Sequence, residues 1–139
     1  MQETIRNSRK EQRTNTFTII TLNEEKRIRD ALESVKWADE IIVVDFGSAD
    51  KTIDICKEYT RKIFHNTWPG MNAQKAFAKN LATGDWLLNI DADERVSAGL
   101  QAEIQAVLKK TDCRGQRREE KIIEVHRKFV LYLNLYGLI

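Results

Sequence analysis

The chain has 139 residues, of which 42% are apolar and 32% charged, so it is long enough for one globular domain and too apolar for a disordered one. Its formal net charge of +2 is unevenly spread, because residues 1–15 carry +2 and residues 109–139 carry +4, which leaves −4 for the residues between them. An acidic body repels phosphate backbones, and this argues against a nucleic-acid partner.

Strands and helices alternate along the chain after a first segment, residues 1–15, which lacks apolar periodicity and is predicted to be a flexible basic arm. Strands are predicted at 17–22, 40–45, 62–65 and 86–91, and helices at 24–36, 50–59, 71–82 and 97–110. This order predicts an α/β fold in which a parallel sheet carries helices on both faces, joined by right-handed crossovers.

Apolar spacing predicts which face of each helix is buried. In the first helix the buried residues are Ile28, Leu32 and Val35, with Asn23 as the N-cap. In the third they are Ala73, Phe77 and Leu81. In the fourth they are Leu100, Ile104, Val107 and Leu108.

Polar residues stand where the predicted strands end: Asn23, Asp45, His65 and Asp91. Open parallel sheets bind ligands at the carboxyl ends of their strands. We therefore expect these side chains to share one binding edge.

The stretch "NIDADE" ends the fourth strand with three carboxylates, Asp91, Asp93 and Glu94. Crowded carboxylates repel one another, and a hard divalent cation such as Mg²⁺ or Mn²⁺ would relieve that repulsion. A solvated acidic turn is the alternative explanation of the same residues.

The stretch "VVDFGSADKT" follows the second strand. Ser48 or Asp50 is predicted to cap the next helix, whereas no capping role explains Asp45. Lys75, in the first turns of the third helix, is the candidate cation for a diphosphate at this edge.

Three motifs in order, T-L-N-E, V-V-D-x-G-S-x-D-x-T and D-A-D, resemble those of family 2 glycosyltransferases, and most closely the bacterial lipopolysaccharide core glucosyltransferases. The resemblance covers about residues 16–108 and implies a GT-A fold with a nucleotide-diphosphate sugar donor and Mg²⁺ or Mn²⁺. It also implies roles for residues of this chain. Thr21, Leu22 and Glu24 would line the nucleotide pocket, Asp45 would recognise the base, Lys75 would face the diphosphate, Asp91 would face ribose and sugar, and Asp93, with Asp91, would contact the metal.

The implied reaction transfers a sugar from the donor to a glycan or glycolipid acceptor of the cell envelope. Negative charge grows on the departing diphosphate, and a metal held at the D-x-D motif would neutralise it. The catalytic base is not identified, because nothing distinguishes Glu119, Glu120 or Glu124 for that role.

The chain departs from the family pattern in two places. Phe46 stands where relatives carry a small or acidic residue, where it would either crowd the base pocket or pack. Beyond Lys110 the pattern is lost, so residues 16–110 are predicted to be a truncated GT-A half-domain. Residues 111–139 are then a divergent basic and apolar tail, which is an interfacial membrane segment, an element that completes the core, or a foreign end.

Three alternatives to an active transferase stay open. The chain could be a non-catalytic fragment that binds nucleotide and metal. A haloacid-dehalogenase-type phosphatase also uses D-x-D, but on its first strand, whereas here the motif lies at the fourth predicted strand and Arg95 stands two residues beyond it. A sugar-nucleotide pyrophosphorylase needs a basic, Gly-rich first loop, and none is apparent here.

The two cysteines indicate a reducing compartment, and the two histidines argue against a zinc site. Cys56 and Cys113 form no CxxC pair and are predicted to be free thiols, and His65 and His126 stand too far apart for a zinc site. No signal peptide or membrane-spanning run is apparent. The expected location is the cytoplasm, with peripheral contact to the inner face of the membrane through the basic ends and the apolar segment 129–139.

Overall fold

The computed structural model describes residues 14–110, 122–126 and 129–133. Its strands are β1 (Asn15–Thr21), β2 (Glu40–Asp45), β3 (Ile63–His65), β4 (Trp86–Asp91), β5 (Ile122–His126) and β6 (Phe129–Leu133). Its helices are α1 (Ile28–Val35), α2 (Thr52–Cys56), α3 (Met71–Leu81) and α4 (Ala98–Lys110).

The sheet has the strand order β3-β2-β1-β4-β6-β5. The first four strands along the chain are parallel, with β1 paired to both β2 and β4. The predicted parallel α/β sheet is therefore confirmed. Strands β6 and β5 then extend it in antiparallel pairing from β4.

A core lies on each face of the sheet. One face packs β1, β2 and β4 against α1, α2 and α4. The other face packs Ile42 and Val44 of β2 against Ala78 of α3, with Phe77 and Leu81 at the margin. Every residue of β2 is buried, as expected for a parallel strand covered on both faces.

Two details of the helices differ from expectation. Helix α1 begins at Ile28, and Asn23 does not cap it, because Asn23 lies in the preceding loop with a φ of 51°. In α3 the residues fully in the core are Gln74 and Ala78, whereas Ala73 is exposed. The predicted face is correct for Phe77 and Leu81, which pack against this core, and wrong for Ala73. Gln74 is buried because its amide bonds to Asn66, a polar contact that apolar periodicity does not register.

A buried carboxylate anchors the amino edge of the sheet. Glu40, the first residue of β2, accepts hydrogen bonds from the Thr16 hydroxyl at 2.8 Å and from the backbone nitrogen and hydroxyl of Thr83 at 2.8 and 2.6 Å. Lys62 forms an ion pair with it. This cluster joins the beginnings of the four parallel strands, at the edge opposite to the predicted binding edge.

Ten residues of the predicted tail belong to the sheet. Residues 129–133, which we expected within an interfacial segment, pair as β6 with β4, and β5 pairs with β6. The described part of the tail is therefore two strands of the sheet, and the role of the tail stays a prediction. Within the described part of the chain, no helix is both long and apolar enough to cross a membrane.

Candidate functional site

The carboxyl edge of the parallel sheet gathers the predicted site residues. Thr21, Asp45, His65 and Asp91 are the last residues of β1, β2, β3 and β4. Thr21 lies in register with Asp45, and Asp45 with His65. The prediction that strand-end residues share one edge is confirmed, and Leu22, Glu24 and Asp93 follow directly in the connecting loops.

The loops after β1 and β2 are tied together by reciprocal hydrogen bonds. The backbone nitrogens of Asn23 and Glu24 donate to the hydroxyls of Ser48 and Thr52, each at 2.8 Å. In return, the Ala49 nitrogen donates to the side-chain oxygen of Asn23 at 2.7 Å. The two motifs T-L-N-E and D-F-G-S-A-D-K-T therefore form one structural unit.

Asp45 holds the turn at the end of β2. One carboxylate oxygen accepts the backbone N–H groups of Gly47 and Ser48, both at 2.9 Å, and the other accepts the Ser48 hydroxyl. The residue is 1% exposed. These bonds give Asp45 a turn-forming role that we did not expect, and its role toward a nucleobase stays a prediction.

The polar side chains of the second loop also differ from their predicted capping roles. Helix α2 begins after Lys51, which makes no side-chain capping bond. Asp50 accepts the Thr52 backbone N–H at 2.9 Å as well as its hydroxyl, and the bond from the Thr52 hydroxyl lowers the pKa of Asp50. Asp50 thus stabilises the first turn from just outside the helix, whereas Ser48 points to Asp45.

Thr21 has an unused polar group at this edge. Its hydroxyl is buried and, among the described residues, has no hydrogen-bond partner. A buried hydroxyl without a hydrogen-bond partner costs free energy. The indole nitrogen of Trp86 is a second buried group without a partner among the described residues. Leu22, the residue after Thr21, is half-buried and offers apolar surface beside it.

The acids after β4 repel one another. Asp91 and Asp93 are exposed, and Glu94 is partly buried, with its carboxylate 3.4 Å from the Asp91 backbone nitrogen. Burial raises the pKa of Glu94, and the negative charges of Asp91 and Asp93 raise it further. Glu94 therefore lies close enough to Asp91 and Asp93 for their charges to act on its carboxyl group.

The donor set at this turn fits a hard divalent cation. Asp91 and Asp93 supply only oxygen ligands, and Mg²⁺ or Mn²⁺ commonly takes one or two carboxylates and completes its shell with water and phosphate. No group of three or more His, Cys, Asp and Glu side chains forms a complete metal cage in the described residues. Asp91 and Asp93 would hold such an ion only together with a ligand or solvent.

Arg27 bridges two of the strand-end loops. Its guanidinium lies 3.5 Å from the Glu24 carboxylate and 3.6 Å from that of Asp93. Lys75, predicted to face a diphosphate, is exposed on the second turn of α3. The described contacts do not bring Lys75 together with the acids.

The loop between β3 and α3 adds aromatic surface. Phe46 and Trp68 pack with ring centroids 4.6 Å apart, and Trp68 is 44% exposed. Gln74 fixes this loop, because it exchanges hydrogen bonds with the side chain of Asn66 at 2.7 Å and with its carbonyl at 3.1 Å. Of the two roles predicted for Phe46, the structure shows packing.

A cavity of about 460 Å³ lies between α2 and the edge strand β3. Asp45 and His65 lie at its strand-end side, Lys57 and Arg61 are basic residues in its wall, and Ile63 contributes apolar surface. The cavity adjoins the carboxyl edge from the side opposite to the acids of β4.

Comparison with known proteins assigns the fold to a family. The model of glycosyl transferase family 2 matches residues 16–130, which is most of the chain. The chain belongs to glycosyl transferase family 2. The match continues through β5 to the start of β6, beyond the limit near Lys110 that the motifs alone indicated.

Curated relatives of this family 2 chain include bacterial enzymes of the same class. It is 49% identical over 90 residues to an uncharacterised glycosyltransferase of Rickettsia typhi, with 64% of this chain and 31% of the relative covered. It is 34% identical over 99 residues to the lipopolysaccharide core biosynthesis glycosyltransferase LpsC of Rhizobium meliloti, with 68% and 37% covered. The chain spans about a third of the length of these relatives.

Solved structures of glycosyltransferases share the fold. Glucosyl-3-phosphoglycerate synthase of Mycobacterium tuberculosis, in complex with Mg²⁺ and uridine diphosphate, matches with a TM-score of 0.54 at 23% identity, covering 63% of this chain and 37% of that one. TarS of Staphylococcus aureus matches with a TM-score of 0.62 at 20% identity, covering 87% and 47%. The GT-A fold is thus confirmed for this family 2 chain.

Three features of the edge were missed from sequence: the reciprocal bonds between the first two loops, the Arg27 bridge and the Asn66–Gln74 contact. The loop bonds join residues 25 to 28 positions apart, and the Arg27–Asp93 pair joins residues still farther apart. One sequence signal was available for the loop bonds. The stretch S-A-D-K-T has more polar residues than one helix cap requires, which indicates further hydrogen-bond partners for the second loop.

Proposed function

We propose that the chain provides the donor-binding part of a glycosyltransferase that holds a nucleoside-diphosphate sugar together with Mg²⁺ or Mn²⁺. The observation that carries this proposal is the meeting of Asp91 and Asp93 with the interlocked loops of β1 and β2 at one sheet edge, in a family 2 chain. The Mycobacterium tuberculosis enzyme with the same fold binds uridine diphosphate and Mg²⁺, which supports a donor of this class.

Each predicted residue keeps a role in this proposal. Thr21 and Leu22 contact the nucleoside, since Thr21 offers a buried hydroxyl without a described partner. Asp93 and Asp91 hold the metal, which supplies electrostatic stabilisation of the leaving diphosphate. Glu24 and Asp45 shape the nucleotide pocket through the two interlocked loops, and the other proposed contact is Lys75 with the diphosphate.

The acceptor and location are proposed more broadly. Similarity to LpsC supports a lipopolysaccharide or envelope polysaccharide acceptor. We propose residues 16–110 as the donor half and residues 111–139 as a further segment. The basic arm was predicted for residues 1–15, but Asn15 already belongs to β1, so the proposed arm ends before that strand. A cytoplasmic location, with the basic ends touching an anionic membrane, would give salt-sensitive binding to anionic vesicles in a flotation assay.

The direct test is calorimetry with uridine diphosphate. We expect binding to be tighter with Mn²⁺ than with EDTA, and Asp93→Asn to remove most of that difference. Asp54→Asn, which changes an exposed acid on α2, is the matched control and should behave as wild type. Equal affinity with and without metal would contradict the proposal.

A second candidate function is donor binding without efficient transfer. It is considered because the strand-end residues that the structure describes are donor-side groups, and no catalytic base is identified among them. Without a base, a rate factor of roughly 10²–10⁴ is lost. We expect radiolabelled sugar to reach a membrane glycolipid extract barely above background. Robust transfer that Asp91→Asn abolishes would refute this second candidate.

A further inference from the structure

Arg27 connects acids from two strands that are far apart in sequence. Glu24 follows β1 and Asp93 follows β4, and the guanidinium contacts both carboxylates at 3.5 and 3.6 Å. The Nη1 atom faces Oδ2 of Asp93, which is the residue proposed to bind metal. The Arg27 guanidinium and the proposed divalent ion would therefore compete for the carboxylate of Asp93.

The bridge is easily released. The Arg27 side chain is 64% exposed and that of Asp93 48% exposed. Exposed ion pairs at such separations contribute little to stability, because water and salt screen them. A guanidinium has a planar fork of N–H donors that suits phosphate oxygens.

We propose that Arg27 is a binding residue of the donor site that exchanges partners. It neutralises Asp93 while no divalent ion is present, and it contacts the diphosphate once an ion occupies Asp93. This inference rests on the proposed function. It predicts effects of opposite sign, since Arg27 opposes the binding of a free divalent ion and favours the binding of a nucleoside diphosphate once that ion is bound.

The alternative is that Arg27 and Asp93 form an ordinary surface ion pair with no role in binding. The chain contains a second exposed ion pair that serves as a control. Arg29 contacts Glu58 at 2.5 Å, with both side chains about half exposed. That pair joins α1 to the end of the α2 segment and involves none of the strand-end acids. Replacing Arg29 removes the same charge two residues further along the chain without changing the proposed site.

The first experiment titrates Mn²⁺ into the full chain without nucleotide and measures free ion by electron paramagnetic resonance. Arg27→Gln is expected to bind Mn²⁺ about threefold to tenfold more tightly than wild type, as estimated for one charge removed near a divalent ion in water. Arg27→Lys, which keeps the charge, and Arg29→Gln are expected to stay close to wild type.

The second experiment measures uridine diphosphate binding at saturating Mn²⁺ by calorimetry at low salt. Arg27→Gln is expected to bind about threefold to tenfold more weakly, because an attractive charge beside the diphosphate is gone. Raising the salt to about 0.5 M should reduce both differences. Thermal unfolding of each variant verifies that the fold is intact.

The outcomes distinguish a failure of the exchange role of Arg27 from a failure of the proposed donor-binding function. If wild type binds Mn²⁺ but Arg27→Gln binds it equally or more weakly, the exchange role of Arg27 is overturned and the donor site stands. If Arg27→Gln and Arg29→Gln change Mn²⁺ affinity alike, the effect is one of net charge and the proposal is also overturned. If wild type binds neither Mn²⁺ nor nucleotide, the proposed function fails and this inference fails with it.

Discussion

The carboxylate of Glu40 gives the sharpest test of how this sheet is held together. It is 8% exposed, and it accepts hydrogen bonds from Thr16 and Thr83 and an ion pair from Lys62. Glu40→Gln keeps the shape of the side chain but removes the charge that these donors share. The change lies at the amino edge, away from the proposed donor site.

The expected magnitude follows from the pKa of Glu40. Burial alone would raise this pKa, but the bonds from Lys62, Thr83 and Thr16 outweigh burial and lower it from an ordinary 4.5 to about 2. Each pKa unit corresponds to about 1.4 kcal/mol, so the ionised carboxylate stabilises the folded state by about 3 kcal/mol. We expect Glu40→Gln to reduce the free energy of unfolding by about 2–3 kcal/mol at pH 7.

The pH dependence has a definite sign. A carboxyl group whose pKa is lower in the folded state binds fewer protons there than in the unfolded chain. Its contribution is therefore complete above about pH 4.5 and is lost as the pH falls toward 2. In denaturant unfolding, the difference in the free energy of unfolding between wild type and Glu40→Gln should be constant from pH 7 to 5 and should decrease to zero below pH 4.5.

The matched control is Glu58→Gln, which removes an exposed carboxylate paired with Arg29. It should leave the midpoint denaturant concentration close to that of wild type. A Glu40→Gln variant as stable as wild type at pH 7 would refute the argument. So would a gap that does not change between pH 5 and pH 2, because the stabilisation would then not come from ionisation.

Two further predictions concern packing. A Cβ added at Gly84 would lie 3.0 Å from the Thr16 backbone nitrogen, so Gly84→Ala should lower the free energy of unfolding by about 1–3 kcal/mol. Gly99 lies in helix α4 with open space around it, so Gly99→Ala should raise the free energy of unfolding by about 0.5–1 kcal/mol. Burial, with a smaller effect from a nearby aspartate, raises the pKa of Cys56 to about 12. In a Cys113→Ser variant, Ellman's reagent at pH 8 should therefore label the thiol only after unfolding in denaturant, and rapid labelling of the folded chain would contradict its burial.

The sequence predicted the sheet because its strongest patterns are local. The run EIIVVD is apolar on both faces, and the structure buries all six of its residues in β2. Strand β4 has the predicted limits, Trp86–Asp91. Strand-end placement of Asp45, His65 and Asp91 followed once the strands were assigned, since parallel strands end at a common edge.

Polar contacts across the chain were not predictable in the same way. Gln74 looks like a surface residue by composition, yet it is fully buried because Asn66 satisfies its amide. The N-cap expected at Asn23 failed for a related reason, since the side-chain oxygen of Asn23 is used by Ala49 of another loop. Burial of an amide depends on a partner, and the partner is known only when the fold is known.

The interlocked loops of β1 and β2 limit where genes of this family can recombine. A crossover between residues 27 and 45 would join a first loop from one parent to a second loop from another, so Asn23 and Ser48 would meet unfamiliar partners. A crossover after residue 56 would transfer both loops intact, together with Thr52. Chimeras that exchange these loops should therefore move residues 21–56 as one block.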